Sequence, residues 1–350
     1  MVNELLCAGR RIGAGHPCFI IAEAGVNHDG DPVKAMALVA AAADAGADAV
    51  KFQTFRAESL VTASARKAEY QVATTGGGES QLAMLRRLEL GPEVFRALKR
   101  AAEERGLVFL STPFDSASAQ LLCELEVPAF KLASGEVTNL PFLAEIAACA
   151  RPVILSTGMS TLVEVEAAVA TIRAAGNPAL AILHCVSAYP APPAQYNLRA
   201  MATMRAALDL PVGLSDHSLG WEVSLAGIAL GAVILEKHLT LSRVAPGPDH
   251  AASLEPAEFA ALVRQARSIE SALGDGIKRA MPCEADTRAV ARKSVVARRD
   301  LPIGSRLTAD DLVIKRPGTG ISPADLARVI GSRLTRGAQA DQPLTWEHLG

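Results

Sequence analysis

The chain has 350 residues, with 37 acidic side chains against 35 Lys and Arg and a formal net charge of −2. That balance gives no overall basic field for nucleic acid or an anionic membrane surface. Half the residues are hydrophobic and 21% are charged, which excludes a disordered chain or a coiled coil.

A mean hydropathy of +0.22 and an isoelectric point near 6.4 fit an alanine-rich globular protein. The length accommodates a barrel of about 250 residues with a smaller module attached. The N-terminal MVNELLCAGRRIGAGHP has an early acid and no continuous apolar core, unlike a signal peptide. The run AMALVAAAADAGA is broken by Asp44 and is too short to span a bilayer. Cys7, Cys18, Cys123, Cys149, Cys185 and Cys283 are scattered without a CxxC pair, which indicates neither a disulfide framework nor a zinc knuckle. A cytoplasmic protein with no membrane or nucleic-acid partner is expected.

From Phe19 onward, short apolar or β-branched runs alternate with longer helix-period segments, the pattern of repeated βα units around a parallel sheet. Strands are expected at residues 19–23, 49–52, 108–111, 129–132, 153–156, 181–184, 212–214 and 233–236. Eight such strands close a TIM barrel. Helices are expected at 32–45, 92–104, 116–125, 140–149, 161–174, 198–207, 220–230 and 256–273. Several carry Pro in the first turn and Gly just past the end, such as Gly46, Gly106 and Gly176, the usual asymmetry of helix termini.

A polar insertion at 56–81 follows the second strand and contains GGGES. It reads as a flexible lid or as a tolerated surface loop, and no catalytic residue is assigned to it. After Leu273 a Gly- and Pro-containing connector leads to short strands and a final apolar run around Leu344. The domain boundary is placed at 283, giving a barrel over 1–282 and a small, mostly β module over 283–350.

Polar residues collect directly after the expected strands: Glu23 with Asn27 and His28, Lys51 with Gln53, Ser111 with Thr112, and Lys131 with Ser134 and Glu136. The second half of the chain repeats this with Ser156 and Thr157, His184 with Ser187 and Tyr189, Ser215 with Asp216 and His217, and Glu236 with Lys237 and His238. The C-terminal strand ends of a TIM barrel line one site, so these groups converge. Lysine at a barrel strand needs an anion when buried, which makes Lys51 and Lys131 candidates for a substrate phosphate or carboxylate. The alternative is an ion pair with a neighbouring Glu; the SGE after Lys131 favours the ligand.

Glu23 and Glu136 are acid/base candidates, or else orient substrate hydroxyls. His217 and His238 follow short apolar runs, and two neutral imidazoles at converging strand ends form a ligand set for a divalent metal. His184, in the run LHCVS, reads as a structural residue packed in the barrel interior. His16, His250 and His348 read as surface or loop residues.

The motifs IAEAGVNHDG, KFQTF, STPFD, FKLASGEVTNLPFL, LSTGMST, LHCVSAYPAP, GLSDHSLG, EKHLT and PGPDHAASLEP, followed by KRPGTGI, resemble the sialic acid synthase family of nonulosonate synthases. The likeness covers most of the chain in the correct order. The C-terminal module resembles the antifreeze-like, or SAF, domain of that family.

The resemblance implies condensation of phosphoenolpyruvate with the open-chain aldehyde of an N-acylated mannosamine-type sugar. A divalent ion, Mn²⁺ or Mg²⁺, would polarise the aldehyde oxygen. At matching positions His217 and His238 would bind the metal. Lys51, Thr112, Lys131, Ser134, Ser156 and Ser215 would hold phosphoenolpyruvate, with Ser187 standing where the family often has Asn. Gln53, Glu136, Tyr189 and Asp249 would position the sugar, and Glu23 would help activate water or organise the metal's water ligand. N-acetylmannosamine, giving N-acetylneuraminate, and 2,4-diacetamido-2,4,6-trideoxymannose, giving N,N'-diacetyllegionaminate, are the leading acceptors; pseudaminic acid synthesis is third.

Two other classes compete. A non-catalytic sugar- or phosphate-binding barrel is possible on fold alone, but has no evident need for a metal beside an anion site. A pyruvate aldolase has no need of a phosphate-binding lysine pair. In KRPGTG, Arg316 corresponds to the arginine that the family's small module delivers to the sugar site, typically across a domain-swapped homodimer. On that expectation, Arg316→Ala weakens sugar affinity or dimerisation. Unchanged sugar KM and unchanged mass by light scattering would exclude the role.

Overall fold

The computed structural model describes residues 4–349. The chain divides into two compact units, the first ending at Gly274 and the second starting at Asp275. The division thus falls inside the polar connector, ahead of residue 283. The connector itself carries a short exposed helix, Ala285–Ala291.

The first unit opens with an antiparallel hairpin, β1 (Glu4–Cys7) and β2 (Arg10–Gly13). Its turn places Ala8 and Gly9 at φ of 49° and 77°, the double positive φ that a two-residue hairpin turn requires. Eight strands follow: β3 (Phe19–Gly25), β4 (Ala49–Thr54), β5 (Val108–Pro113), β6 (Phe130–Leu132), β7 (Val153–Ser156), β8 (Leu180–Cys185), β9 (Val212–Asp216) and β10 (Ile234–His238). They pair in the order β5-β4-β3-β10-β9-β8-β7-β6, and every recorded pairing is parallel. Because the last strand bonds to the first, the sheet curls into a nearly closed (β/α)8 barrel. Each expected strand is present, several running one or two residues further toward the C-terminal mouth.

Alternation along the strands separates two apolar regions. Ile20, Ala22, Val50, Phe52, Phe109 and Phe130 face the helices. Phe19, Ile21, Ala49, Leu110, Ile154, Leu183 and Ile234 fill the interior together with Leu5, Cys7 and Ile12 of the hairpin. The hairpin therefore plugs the N-terminal end of the barrel. The expected helices form around the outside, and Gly46, Gly106 and Gly176 follow three of them at positive φ.

The 56–81 insertion is built rather than loose. It contains the helices Ala57–Leu60 and Glu69–Thr75 and leads into Gln81–Leu88, whose N-cap Ser80 accepts from the Ala83 amide. Val26, Phe55, Ala57, Met84, Leu85 and Leu88 form its own apolar cluster.

The second unit contains an antiparallel pair, β11 (Ser294–Ala297) and β12 (Leu312–Lys315). Its core gathers Val295, Leu301, Leu312, Ile321, Leu334 and Leu344. Asp311 accepts from the Thr308 hydroxyl and amide and from Arg299, contacts that hold its carboxyl down at about 2.

The barrel interior is tightest at Gly213. A Cβ there would lie 2.5 Å from the Ile234 carbonyl oxygen and 2.6 Å from Leu183 Cδ2. Gly213→Ala is expected to destabilise the barrel by about 1–3 kcal/mol through overpacking. Urea unfolding measures this, and an unchanged midpoint would contradict the packing described.

Candidate active site at the barrel mouth

The same alternation that fills the interior with apolar residues ends, at the C-terminal mouth, on polar ones. Register aligns Glu23 with Lys51, Ser215 with Glu236, and Cys185 with Ser215. Ile234, Glu236 and His238 share one face of β10, whereas Lys237 takes the opposite face. The inward groups line a cavity of ≈ 440 Å³ together with residues of the 57–88 segment.

Four charges occupy its floor. Lys51 Nζ lies 2.5 Å from Glu23 Oε2 and 3.9 Å from Glu236 Oε2, and donates to Thr112 Oγ1 at 3.0 Å. Lys131 Nζ lies 3.3 Å from Glu236 Oε1 and donates to Ser156 Oγ at 2.8 Å. Ser215 Oγ donates to Glu236 Oε1 at 3.0 Å, and Gln53 Nε2 to Glu23 Oε1 at 3.3 Å. All four charged side chains are at least 95% buried.

Burial pushes the Glu23 carboxyl up to about 7, against the pull of Lys51. Glu236 goes the other way: burial opposes ionisation, but Lys131 and Lys51 together hold its carboxyl below the usual range. Burial lowers Lys131 despite Glu236, whereas Glu23 and Glu236 outweigh burial at Lys51 and raise it. One floor thus holds a carboxylate poised near neutrality beside another kept ionised, the division of labour that acid/base work needs.

Above the floor, His217 and His238 stand with ring centroids 5.3 Å apart, and Tyr189 lies 4.2 Å from the His217 ring. His217 Nδ1 is 2.8 Å from the Val186 carbonyl, so this nitrogen carries a proton; burial opposes a charged ring, but Cys185 Sγ 3.8 Å away outweighs it and raises the His217 imidazole above its usual range. His238 Nδ1 is buried without a hydrogen-bond partner, 4.0 Å from Asp249 Oδ2. Burial lowers the His238 imidazole well below its usual range and raises Asp249 to about 6. His238, neutral and with an open Nδ1, suits a divalent ion, whereas His217 would have to give up any second proton to join it. Among the described residues no group of three or more His, Cys, Asp or Glu is gathered to hold one, so an ion here would draw further ligands from water or substrate.

A second buried pair supports His217 from outside the barrel. Lys237 Nζ lies 3.0 Å from Asp216 Oδ2 and donates to the Ser218 carbonyl at 2.6 Å. Asp216 also accepts from the Ser218 amide and from Ser224 Oγ. The Tyr196 hydroxyl accepts from the His217 amide at 2.6 Å.

Of the residues singled out from sequence, Glu23, Lys51, Gln53, Thr112, Lys131, Ser134, Ser156, Ser187, Tyr189, Ser215, His217, His238 and Asp249 all line this cavity. Two do not. Glu136 sits in the turn Ser134–Glu136, accepts from Asn139 Nδ2 at 2.7 Å, and is raised by burial without lining the cavity wall. Arg316 belongs to the second unit and is exposed there.

Two histidine assignments are corrected. His250 is 2% exposed, with Nε2 2.9 Å from Asp29 Oδ1 and Nδ1 2.7 Å from Thr240 Oγ1. It is a buried tie between loops and not a surface residue. His184 is structural as expected, but it alternates with the inward Leu183 and Cys185 and so faces the helices, donating to the Tyr196 carbonyl at 2.6 Å.

The sequence places Glu236 among the strand-end groups without a task of its own, and gives no place in the site to Gly158, Cys185 or Tyr70. Period-two alternation alone puts Glu236 beside His238 on the inner face. At Gly158 the amide donates to Ser134 Oγ at 2.9 Å and a Cβ would lie 2.2 Å from Ser187 Oγ, so only glycine lets these hydroxyls converge.

A nearly closed parallel barrel with a charged, hydroxyl-rimmed floor defines a TIM-barrel protein whose polar site lies at the strand ends; in this structure Lys51 and Lys131 are paired with Glu23 and Glu236, the ion-pair alternative weighed from sequence. The NeuB family model matches residues 38–278 and the SAF domain model residues 292–350. An N,N'-diacetyllegionaminic acid synthase of Legionella pneumophila is 45% identical over 341 residues, covering 96% of each chain. The human N-acetylneuraminate-9-phosphate synthase is 38% identical over 98% of this chain and 95% of its own. The crystal structure of N-acetylneuraminic acid synthetase from Leptospira borgpetersenii, in complex with citrate, superimposes with a TM-score of 0.72 at 34% identity, covering 82% of this chain and 95% of that one. The chain belongs to the NeuB family and carries a C-terminal SAF domain.

The floor also makes a prediction. Glu236→Gln leaves Lys51 and Lys131 with one counter-charge between them, so the thermal midpoint falls. Inorganic phosphate then restores more stability to the variant than to the parent. Equal phosphate effects on the two proteins would show that Glu236 does not neutralise the lysines.

Proposed function

We propose that this protein condenses phosphoenolpyruvate with an N-acylated mannosamine-type aldehyde, releasing phosphate and a nonulosonic acid. The observation that carries the reading is the pair of buried lysines within reach of Thr112 and Ser156 on the cavity floor, directly beneath two imidazoles. Two relatives named N,N'-diacetyllegionaminic acid synthase, each 45% identical, favour 2,4-diacetamido-2,4,6-trideoxymannose as acceptor over N-acetylmannosamine.

In this reading Lys51 and Lys131, with Thr112, Ser134, Ser156 and Ser215, hold the phosphate and carboxylate of phosphoenolpyruvate. Glu236 stays ionised and fixes the lysines in place. Carbon 3 bonds to the aldehyde carbon, water adds at carbon 2, and phosphate leaves by C–O cleavage. Glu23, poised near neutrality, takes the proton from the attacking water. Gln53, Tyr189 and Asp249 orient the sugar. A divalent ion held by His217 and His238, Mn²⁺ or Mg²⁺, would supply Lewis-acid polarisation of the aldehyde oxygen.

The family resemblance supports a homodimer in which Arg316 reaches the partner's sugar site. Six free thiols suit a cytoplasmic enzyme.

The test supplies phosphoenolpyruvate with each candidate sugar and follows phosphate release. Release is expected only with sugar present, is abolished by EDTA, and returns with Mn²⁺. No release with any sugar, despite tight phosphoenolpyruvate binding, would leave a binding protein and not a synthase. Insensitivity to EDTA would remove the metal alone.

A further inference from the structure

The cavity has two unlike ends. Its floor is charged, whereas the side formed with the 57–88 segment presents Leu60, Val61, Met84, Leu85 and Phe114, with Gln71 and Gln81 as its polar members. Lys51 and Lys131 are the only Lys or Arg among the described residues lining it, and both are engaged with glutamates on the floor.

The segment is held together by its own ion pairs and hydrogen bonds. Lys67, whose side chain is 3% exposed, directs Nζ to Thr75 Oγ1 at 2.9 Å, the Gly76 carbonyl at 3.1 Å and Glu79 at 3.2 Å. Glu79 also binds Arg87, and Glu58 binds Arg86, each at 2.5 Å. Tyr70 then stacks on Tyr189 at 5.0 Å, and Tyr189 in turn packs on His217. A continuous aromatic column therefore joins the insertion to the imidazoles.

We infer that Tyr70 and Leu60 of this insertion form the acceptor-selecting wall, a subsite for apolar substituents at the end of the sugar remote from its aldehyde. The inference rests on the synthase reading above. An aldehyde carbon directed at Glu23 and the histidines sends the opposite end of the sugar toward the insertion. An apolar wall there favours a deoxy carbon or the methyl of an acylamino group. Against Leu60 a hydroxymethyl group loses hydration to an apolar neighbour, and the wall itself offers a phosphomonoester no cation.

The experiment measures phosphate release by the full chain with phosphoenolpyruvate and three acceptors: 2,4-diacetamido-2,4,6-trideoxymannose, N-acetylmannosamine and N-acetylmannosamine 6-phosphate. The parent is expected to rank them in that order in kcat/KM, with steps of about tenfold or more, the size of discrimination that an apolar pocket provides. Leu60→Arg places a cation on the wall and should narrow the gap between phosphorylated and trideoxy acceptors by about tenfold or more. Tyr70→Ala should raise the KM of the trideoxy sugar most among the three, and Tyr70→Phe should restore it. The KM for phosphoenolpyruvate should stay within about twofold in each, which separates a wall defect from collapse of the floor.

If the parent turns over none of the sugars, the synthase reading fails. If it turns them over but prefers the phosphorylated acceptor, or if Leu60→Arg and Tyr70→Ala leave the ranking unchanged, the wall assignment is overturned while the synthase reading stands.

Discussion

Two lysines and two glutamates share the floor of the barrel mouth, and much of the surrounding structure serves to make that burial tolerable. An isolated charge at this depth would be displaced toward its neutral form at a cost of several kcal/mol. Here each cation has an anion within 3.3 Å and a hydroxyl within 3.0 Å, so the cluster is close to neutral. As pH falls through about 7 Glu23 takes up a proton while Glu236 stays ionised, so the floor gains net positive charge on the acid side.

Strand geometry decides who takes part. In Ile234–His238 the inner face receives an apolar residue, a carboxylate and an imidazole in succession, and Lys237 is rotated outward to Asp216. That outward pair stiffens the turn carrying His217, while Tyr196 holds the amide of His217 itself. Adjacent residues of one strand consequently serve different tasks: Glu236 acts on the cavity floor, and Lys237 keeps a neighbouring loop in shape.

The barrel and most of its mouth were legible in the sequence because both follow from short-range periodicity. Apolar runs gave the strands, and the residues just beyond them gave most of the cavity's polar lining, although Asn27, His28, Ser111, Thr157, His184, Asp216 and Lys237 stand at the same strand ends without lining it. What escaped depended on contacts between distant segments. The β1–β2 hairpin has four-residue strands and an Ala at positive φ in its turn, which local propensity does not announce. His250 is buried through Asp29 and Thr240, the first of them 221 residues away. The GGG-containing insertion reads as flexible, yet Lys67 orders it by donating to three acceptors, and the importance of Tyr70 comes from a stack with Tyr189. Glu136 errs in the opposite direction: it follows a strand-end lysine, but its turn gives the cavity wall to Ser134 and Gly135.

The hairpin packed into the N-terminal end of the barrel has a bearing on traffic as well as on stability. With Leu5, Cys7 and Ile12 stoppering that end, the mouth is a blind well with one opening, and the lysines lie at its bottom. A water or ion leaving the lysines therefore has the strand-end side to leave by, past the imidazoles and the 57–88 segment.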